Sequence, residues 1–503
     1  MKVLAIALLI SFLLFPTALG CKDVIVTGEA TRDRCNLLLK VRDPSREGPQ
    51  VIFIVNKGYR YSYHHPWTGK KINFEVERKF LGLATKGDTP PNIIKAGAAL
   101  NDAGIAFGDA DVPSYWINPT KYAWDDFDWL RYAYQSAKNE KEAINLLKEV
   151  VKGLHAPKIS ENLFVVGPKK AYVIEADVVH FKAKEVKGIY VMSNYPKELW
   201  KYRLLKRFFV ASSFDEMREE KIEKGKVIRL GALFGIKIVK VEKERIYVKG
   251  IPFGEKTAIE KNEGKVIGHF WVKNKGKSIV VKYKYREWEE RIKKELERKY
   301  GNITVLDLMK ISRLTSEDLD GLRGMSEGEN RAAVIFHISK GNPNLSCMWF
   351  APDQCASIFV PVHLCSSFIY EPYTDGTAAE LAKDLLKKYG YKGLLTFLQR
   401  VEKIFFEKVE EKEREGNETA ISLLDFELQK QAYLMQKVLL HNESYKERFE
   451  KIWVKDYETS LENMKNLYES TSDSYIKSLL SKIIFSMEKV TNENFSETLS
   501  TIK

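Results

Sequence analysis

The sequence predicts a layered α/β chain that ends in a helical region, and three observations predict it. Short apolar runs bounded by Gly, Pro, Asn or Asp crowd residues 21–195 and recur across 331–365. Segments of helical period separate and follow them. Beyond residue 376 almost everything is helix-periodic, with breaks near Gly390, Gly416 and Asn442. Strand blocks flanked by helices read as layers of α and β structure and not as an all-β barrel.

Residues 1–20 read as a secretory signal. Lys2 supplies the positive start, residues 3–15 are apolar apart from Ser11, and Pro16 breaks the run. Ala18-Leu19-Gly20 then offers the small residues that a signal peptidase needs. The apolar core is roughly 20 Å long as a helix, short for a membrane span. The expected mature chain begins at Cys21, is secreted or held at the cell surface, and carries no further transmembrane span.

The strand runs come first: "VIVTG", "NLLLKVRD", "PQVIFIVNKG" and "FLGLATKGD", followed by the Gly-punctuated "GAALNDAGIAFGDADV". "NEKEAINLLKEVVKGL" has a helical period. "ENLFVVGPKKAYVIEADVVHFKAKEVKGIYVMSNYP" reads as a three-stranded meander, and the segment from "PKELW" through "EEKIEKGK" as helical again. Between 225 and 285 the alternation is that of exposed strands, and a helix is expected over 285–300. "RAAVIFHISKG", "LSCMWFAP" and "ASIFVPVHLC" form the second strand block. In the tail, "LLDFELQKQAYLMQKVLL" is apolar around too much of its circumference to be left exposed, so it should dock on protein.

The chain has 503 residues, 44% of them hydrophobic, enough for a sizeable core. Its net charge of +13 comes from 81 basic and 68 acidic residues spread along the chain, which speaks against a nucleic-acid binder. Lys/Glu-rich helix faces and few histidines are the composition of a thermophile. Five cysteines, Cys21, Cys35, Cys347, Cys355 and Cys365, in an exported chain imply two disulfides and one free thiol. Sequons at Asn302, Asn344, Asn417, Asn442 and Asn494 are compatible with glycosylation. The spacing holds no metal motif, and no Gly-rich phosphate loop or nucleophile elbow appears, so neither metal nor cofactor is expected. A homo-oligomer is compatible with the sequence.

Cleavage after Gly20 would leave Cys21 with both a thiol and a free α-amine. That amine has a pKa near 8, so one residue can supply nucleophile and base. Two other roles stay open for Cys21. "ALGC" is close to a lipobox, which would make the protein a lipidated surface binding protein without chemistry. A plain disulfide is the other.

"CKDVIVTGEATRDRCNLLLKVRD" resembles, without a gap from Cys21 to Asp43, the opening of the secreted dipeptidase family of N-terminal-nucleophile hydrolases. Bile-salt (choloylglycine) hydrolases and penicillin V acylases share that plan with a shorter first turn. "ALNDAGIAFGDAD", "GPKKAYVIEA", "VMSNYP" and the two strands of the second block are similar to later family segments. The resemblance implies a four-layer αββα sandwich over 21–375, with 376–503 as a helical C-terminal region. It implies Cys21 as nucleophile, Asp43 holding the N-terminal ammonium, Asn194 as oxyanion donor, and Asp109 near the substrate carbonyl. Lys40 stands where the family has an arginine, keeping the charge and losing the planar fork. The implied activity is hydrolysis of a dipeptide or small amide, with a non-peptide amidase or acyltransferase as the alternative.

Overall fold

The computed structural model describes residues 20–64, 71–112, 124, 126–153, 155, 160–328 and 331–492, except 44–46 and 92. Residues 1–19 of the expected signal segment and Asn494 therefore lie outside the described residues. The strands of the two main sheets are β1 (Lys22–Val26), β2 (Asn36–Arg42), β3 (Gln50–Val55), β4 (Phe80–Thr85), β5 (Ala98–Asn101) and β6 (Ile105–Val112), then β7 (Ser160–Val166), β8 (Ala171–Ala176), β9 (Phe181–Val186), β10 (Ile189–Ser193), β11 (Ala332–Ile338), β12 (Cys347–Ala351) and β13 (Val360–His363). One sheet has the order β10-β1-β2-β11-β12-β13 and the other β9-β8-β7-β6-β5-β4-β3. The pairings within both are antiparallel.

The two sheets stack face to face, with β2 against β7 and β11 against β6. Helices cover both outer faces. Helices α1 (Asp126–Tyr134) and α2 (Glu140–Lys152) cover the second sheet, enclosing Phe107, Trp129, Tyr134 and Val165 in a core of their own. Helices α3 (Lys284–Glu297), α4 (Val305–Ser312), α5 (Thr377–Tyr389), α6 (Leu395–Glu415) and α7 (Glu418–His441) cover the first. This is the four-layer αββα sandwich. β1 and β2 are buried along their whole length, which is why they read as near-continuous apolar runs and not as alternating ones.

The helical tail continues as α8 (Tyr445–Ile452), α9 (Tyr457–Glu469) and α10 (Ser474–Thr491). α7 lies between β13, α5 and α10, so it is buried nearly all round, as its sequence requires. The break at Gly416 has a local cause. Its φ of 72° is left-handed and closes α6, and the next residue, Asn417, accepts from Ala420 N to start α7.

Three expectations are corrected. The meander has four strands, and the fourth, β10, leaves the second sheet to pair with β1 in the first. The helix expected after Pro196 amounts to a 3-10 turn at Trp200–Tyr202 and a short helix at Leu204–Phe209. The charged stretch beyond it is an edge strand, Met217–Lys221, pairing with Ser278–Tyr283. Its charges are those of an exposed edge and not of a helix face. Finally, all five cysteines are free. Cys347 opens β12 and its thiol bonds His363, while Cys355 lies past the far end of that strand. Cys21 and Cys35 are likewise separated by more than the length of β1, about 23 Å along the register, when a disulfide needs Cα atoms within about 7 Å.

Candidate active site

The site forms where β1 begins. Lys22 pairs with Val41 on one side and Ser193 on the other. One step further along both registers, Cys21 comes level with Arg42 and Asn194. Alternation along the strands then puts Cys21, Asp23, Lys40, Arg42 and Asn194 on the face turned to the second sheet. Lys22 and Asp43 fall on the opposite, helix-covered face.

Lys40 is wholly buried. Its Nζ lies 2.9 Å from Asp109 Oδ1 and 3.9 Å from Asp23 Oδ1, and it also donates to the Asp109 carbonyl. It crosses to the second sheet beside Gly108, where an added Cβ would lie 3.4 Å from Lys40 Cδ. Burial works against the Lys40 ammonium, but Asp109, Asp23 and Cys21 outweigh it and hold its pKa above the usual lysine range. Arg42 donates to Gln50 and, at 3.1 Å, to Thr85 Oγ1, with the Phe127 ring 5.5 Å away.

With Gly20 still attached, burial pushes the Cys21 thiol up to about 11; Lys40 opposes this, and Asp109, Asp23 and Asp111 add to it. Burial also raises the Asp23 carboxyl to about 8 against the pull of Lys40. Glu161 stands directly across the ladder from Asp111 and is held well above the carboxylate range by burial and then by Asp111. Among the described residues, both oxygens of Asp23, both of Glu161, Asn162 Oδ1 and Ser193 Oγ lack a hydrogen-bond partner. Asn162 Nδ2 donates to the Ser193 carbonyl at 2.7 Å and ties the two sheets together beside Asn194.

Asn194 Nδ2 donates to the Asp111 carbonyl at 2.6 Å. Residue 20 presses against its side chain: a Cβ on Gly20 would fall 2.0 Å from Asn194 Oδ1, so a larger residue there would have to displace the Asn194 amide. Asp43 is the outlier. Its Oδ2 accepts from Arg323 at 2.8 Å while Oδ1 has no hydrogen bond, and the carboxylate faces Gly328. Lys22 stands on that same face, donating to the Met325 and Glu327 carbonyls at 3.2 and 3.0 Å. Burial, then Arg323, bring its pKa down to about 7.

The structure thus gathers Cys21, Lys40, Asp109 and Asn194, and sets Asp43 at the strand end through which an N-terminal amine would emerge. Sequence reasoning missed Asp23, Glu161 and Asn162. Asp23 carries a signal, since it alternates with Lys22 onto the face of Cys21. Glu161 and Asn162 carry none without the register of β6 and β7.

No family model matches the chain, and no curated protein is similar to it at a significant level. Among solved structures, two variants of the conjugated bile acid hydrolase from Clostridium perfringens superpose with TM-scores of 0.38 and 0.37. Each is 12% identical, over 68% of this chain and 92% of the other. Penicillin V acylase from Agrobacterium tumefaciens superposes with a TM-score of 0.22 at 11% identity, over 48% of this chain and 86% of that one. The architecture and the site described above stand on this chain's own geometry.

Proposed function

We propose that the chain is an amide-bond hydrolase with Cys21 as nucleophile, active once residues 1–20 are removed outside the cytoplasm. The observation that carries this reading is Cys21, Arg42 and Asn194 level across three buried strands above the Lys40–Asp109–Asp23 cluster. Removal of Gly20 converts the Cys21 amide into an amine and frees the space against Asn194. The amine takes the thiol proton, and Sγ attacks the amide carbonyl carbon. Asn194 Nδ2 turns from the Asp111 carbonyl to the developing oxyanion. The ammonium then protonates the leaving amine, a thioester forms, and water attacks it with the same amine as base to release the acid. Asp43 Oδ1 holds the ammonium between steps.

Asp111, exposed on its strand and close enough to act on the thiol, suits an acyl group carrying a free ammonium, as a dipeptide does. A second reading, a non-peptide amidase, is favoured by Lys40: it is wholly buried and engaged with Asp109, so it offers no grip to a substrate carboxylate.

Dipeptides, dipeptide amides and N-acetylated dipeptides assayed with protein starting at Cys21 test both readings. Dipeptide hydrolysis that falls at least tenfold on N-acetylation supports the first, and equal turnover of N-acyl amides supports the second. Absence of all turnover, or a lipid on Cys21 by mass, overturns both and leaves a surface binding protein.

A further inference from the structure

A second chemical cluster lies at the other end of β2, about 17 Å from Lys40 along the strand. Asp33 and Cys35 come from the loop between β1 and β2, and His337 from β11, some three hundred residues later. One Asp33 oxygen, Cys35 Sγ and a His337 ring nitrogen all lie within 4.8 Å of one another. His337 Nε2 is 2.6 Å from Asp33 Oδ2, and the imidazole also bonds Cys35. The loop is built to hold these donors. Cys35 N donates to Asp33 Oδ1 at 3.0 Å, and Thr31 Oγ1 donates to the Cys35 carbonyl at 2.7 Å. His337 is fixed in the middle of the sheet between Leu37 and Cys347, with 12% of its side chain exposed.

The donors open onto a pocket of about 450 Å³ between the sheet and α6, lined also by Glu410, Glu413, Arg32 and Arg414, with Arg32 paired to Glu410. Glu413 is held there by His363 Nε2, 3.0 Å from its Oε1. One thiolate, one imidazole and one carboxylate form a mixed borderline donor set of the kind zinc takes, with three protein ligands and a fourth position toward the cavity. Metal–ligand bonds of about 2.0–2.3 Å put tetrahedral donors roughly 3.3–3.7 Å apart, so small side-chain rotations suffice. The cluster escapes a spacing search because its ligands come from segments far apart in sequence.

We propose that Asp33, Cys35 and His337 bind a zinc-type divalent metal ion that clamps the β1–β2 loop onto β11. This site is separate from the chemistry at Cys21 and does not rest on the hydrolase reading.

The test is titration of the protein starting at Cys21 with Co²⁺, followed by its thiolate-to-metal charge-transfer band in the near ultraviolet. The expected result is one equivalent bound, displaced by Zn²⁺, with the band lost in Cys35→Ser, binding weakened at least tenfold in His337→Gln, and both kept in Cys21→Ala. Far-ultraviolet circular dichroism checks that the variants are folded. If Cys35→Ser does not fold, Asp33→Asn, at an exposed loop position, should weaken Co²⁺ binding at least tenfold by itself. No charge-transfer band with excess Co²⁺, a band that survives Cys35→Ser, or binding unchanged in both His337→Gln and Asp33→Asn would leave an ion pair only and overturn the proposal.

Discussion

Two regions on opposite faces of the first sheet bury charge in opposite ways. Beneath the C-terminal helices, Arg313 meets Glu402 through a bidentate pair of 2.7 and 2.5 Å. Glu402 also accepts from Phe359 N at 3.0 Å, and Arg313 donates to the Gln354 carbonyl. At the start of β1, Lys40 stands between two carboxyls, Asp23 and Asp109, and the Cys21 thiol, and Asp23 and Glu161 are left without hydrogen bonds. Burial costs both regions several kcal/mol per ion. The first recovers it through complete pairing, and the second does so in part by holding carboxyls neutral. Complete pairing marks a structural joint, whereas unmet acceptors beside a thiol mark a place prepared for a reacting group.

The largest effect that can break this contrast is on turnover. Cys21→Ala should reduce amide hydrolysis to background with the fold intact, whereas Arg313→Met should leave the site chemistry in place and lower stability by about 3–5 kcal/mol, because Glu402 is then buried without its partner. Denaturant midpoints and initial rates on both variants separate the two roles. Equal loss of activity in both would erase the distinction. Next in size, Asn194→Ala should lower kcat/KM by about 3 kcal/mol, roughly a hundredfold, with the loss mainly in kcat.

A third effect concerns pH. In the chain that keeps Gly20, Asp23 has a folded pKa of about 8 against an ordinary value of 3.8, so the folded state holds the proton more tightly. Its contribution is therefore fully present below about 4 and is lost as pH rises toward 8. Asp23→Asn cannot lose that proton, so urea midpoints of the variant should exceed those of the parent increasingly between pH 5 and 8. A difference that does not change with pH would contradict the buried neutral carboxyl.

Much of the fold was legible where local pattern and burial agree. β1 and β2 are apolar throughout because both faces are covered, and Gly390, Gly416 and Asn442 end helices where expected. The reading failed where sheet context overrode composition. Met217–Lys221 looks helical by its charges but completes an exposed edge. At the site, Cys21 and Lys40 could be placed by offset, and Asn194 by its strand end. Glu161 and Asn162 depend on the cross-strand register of β6 and β7, and the zinc-type cluster on the register of β2 with β11; neither register is written in any local stretch. The disulfide expectation rested on a cysteine count alone, and a count carries no information about which thiols the sheet register brings together; all five are free.

The central claim is that removing residues 1–20 turns a half-buried, protonated thiol into a nucleophile. It is tested most directly by measuring Cys21 alkylation against pH, together with dipeptide hydrolysis, for protein starting at Cys21 and for protein retaining residues 1–20. The retained form should react only toward its raised thiol pKa of about 11 and turn over no substrate. The form starting at Cys21 should react at clearly lower pH and gain hydrolysis in the same step. Identical pH profiles and equal turnover in the two forms would contradict the account.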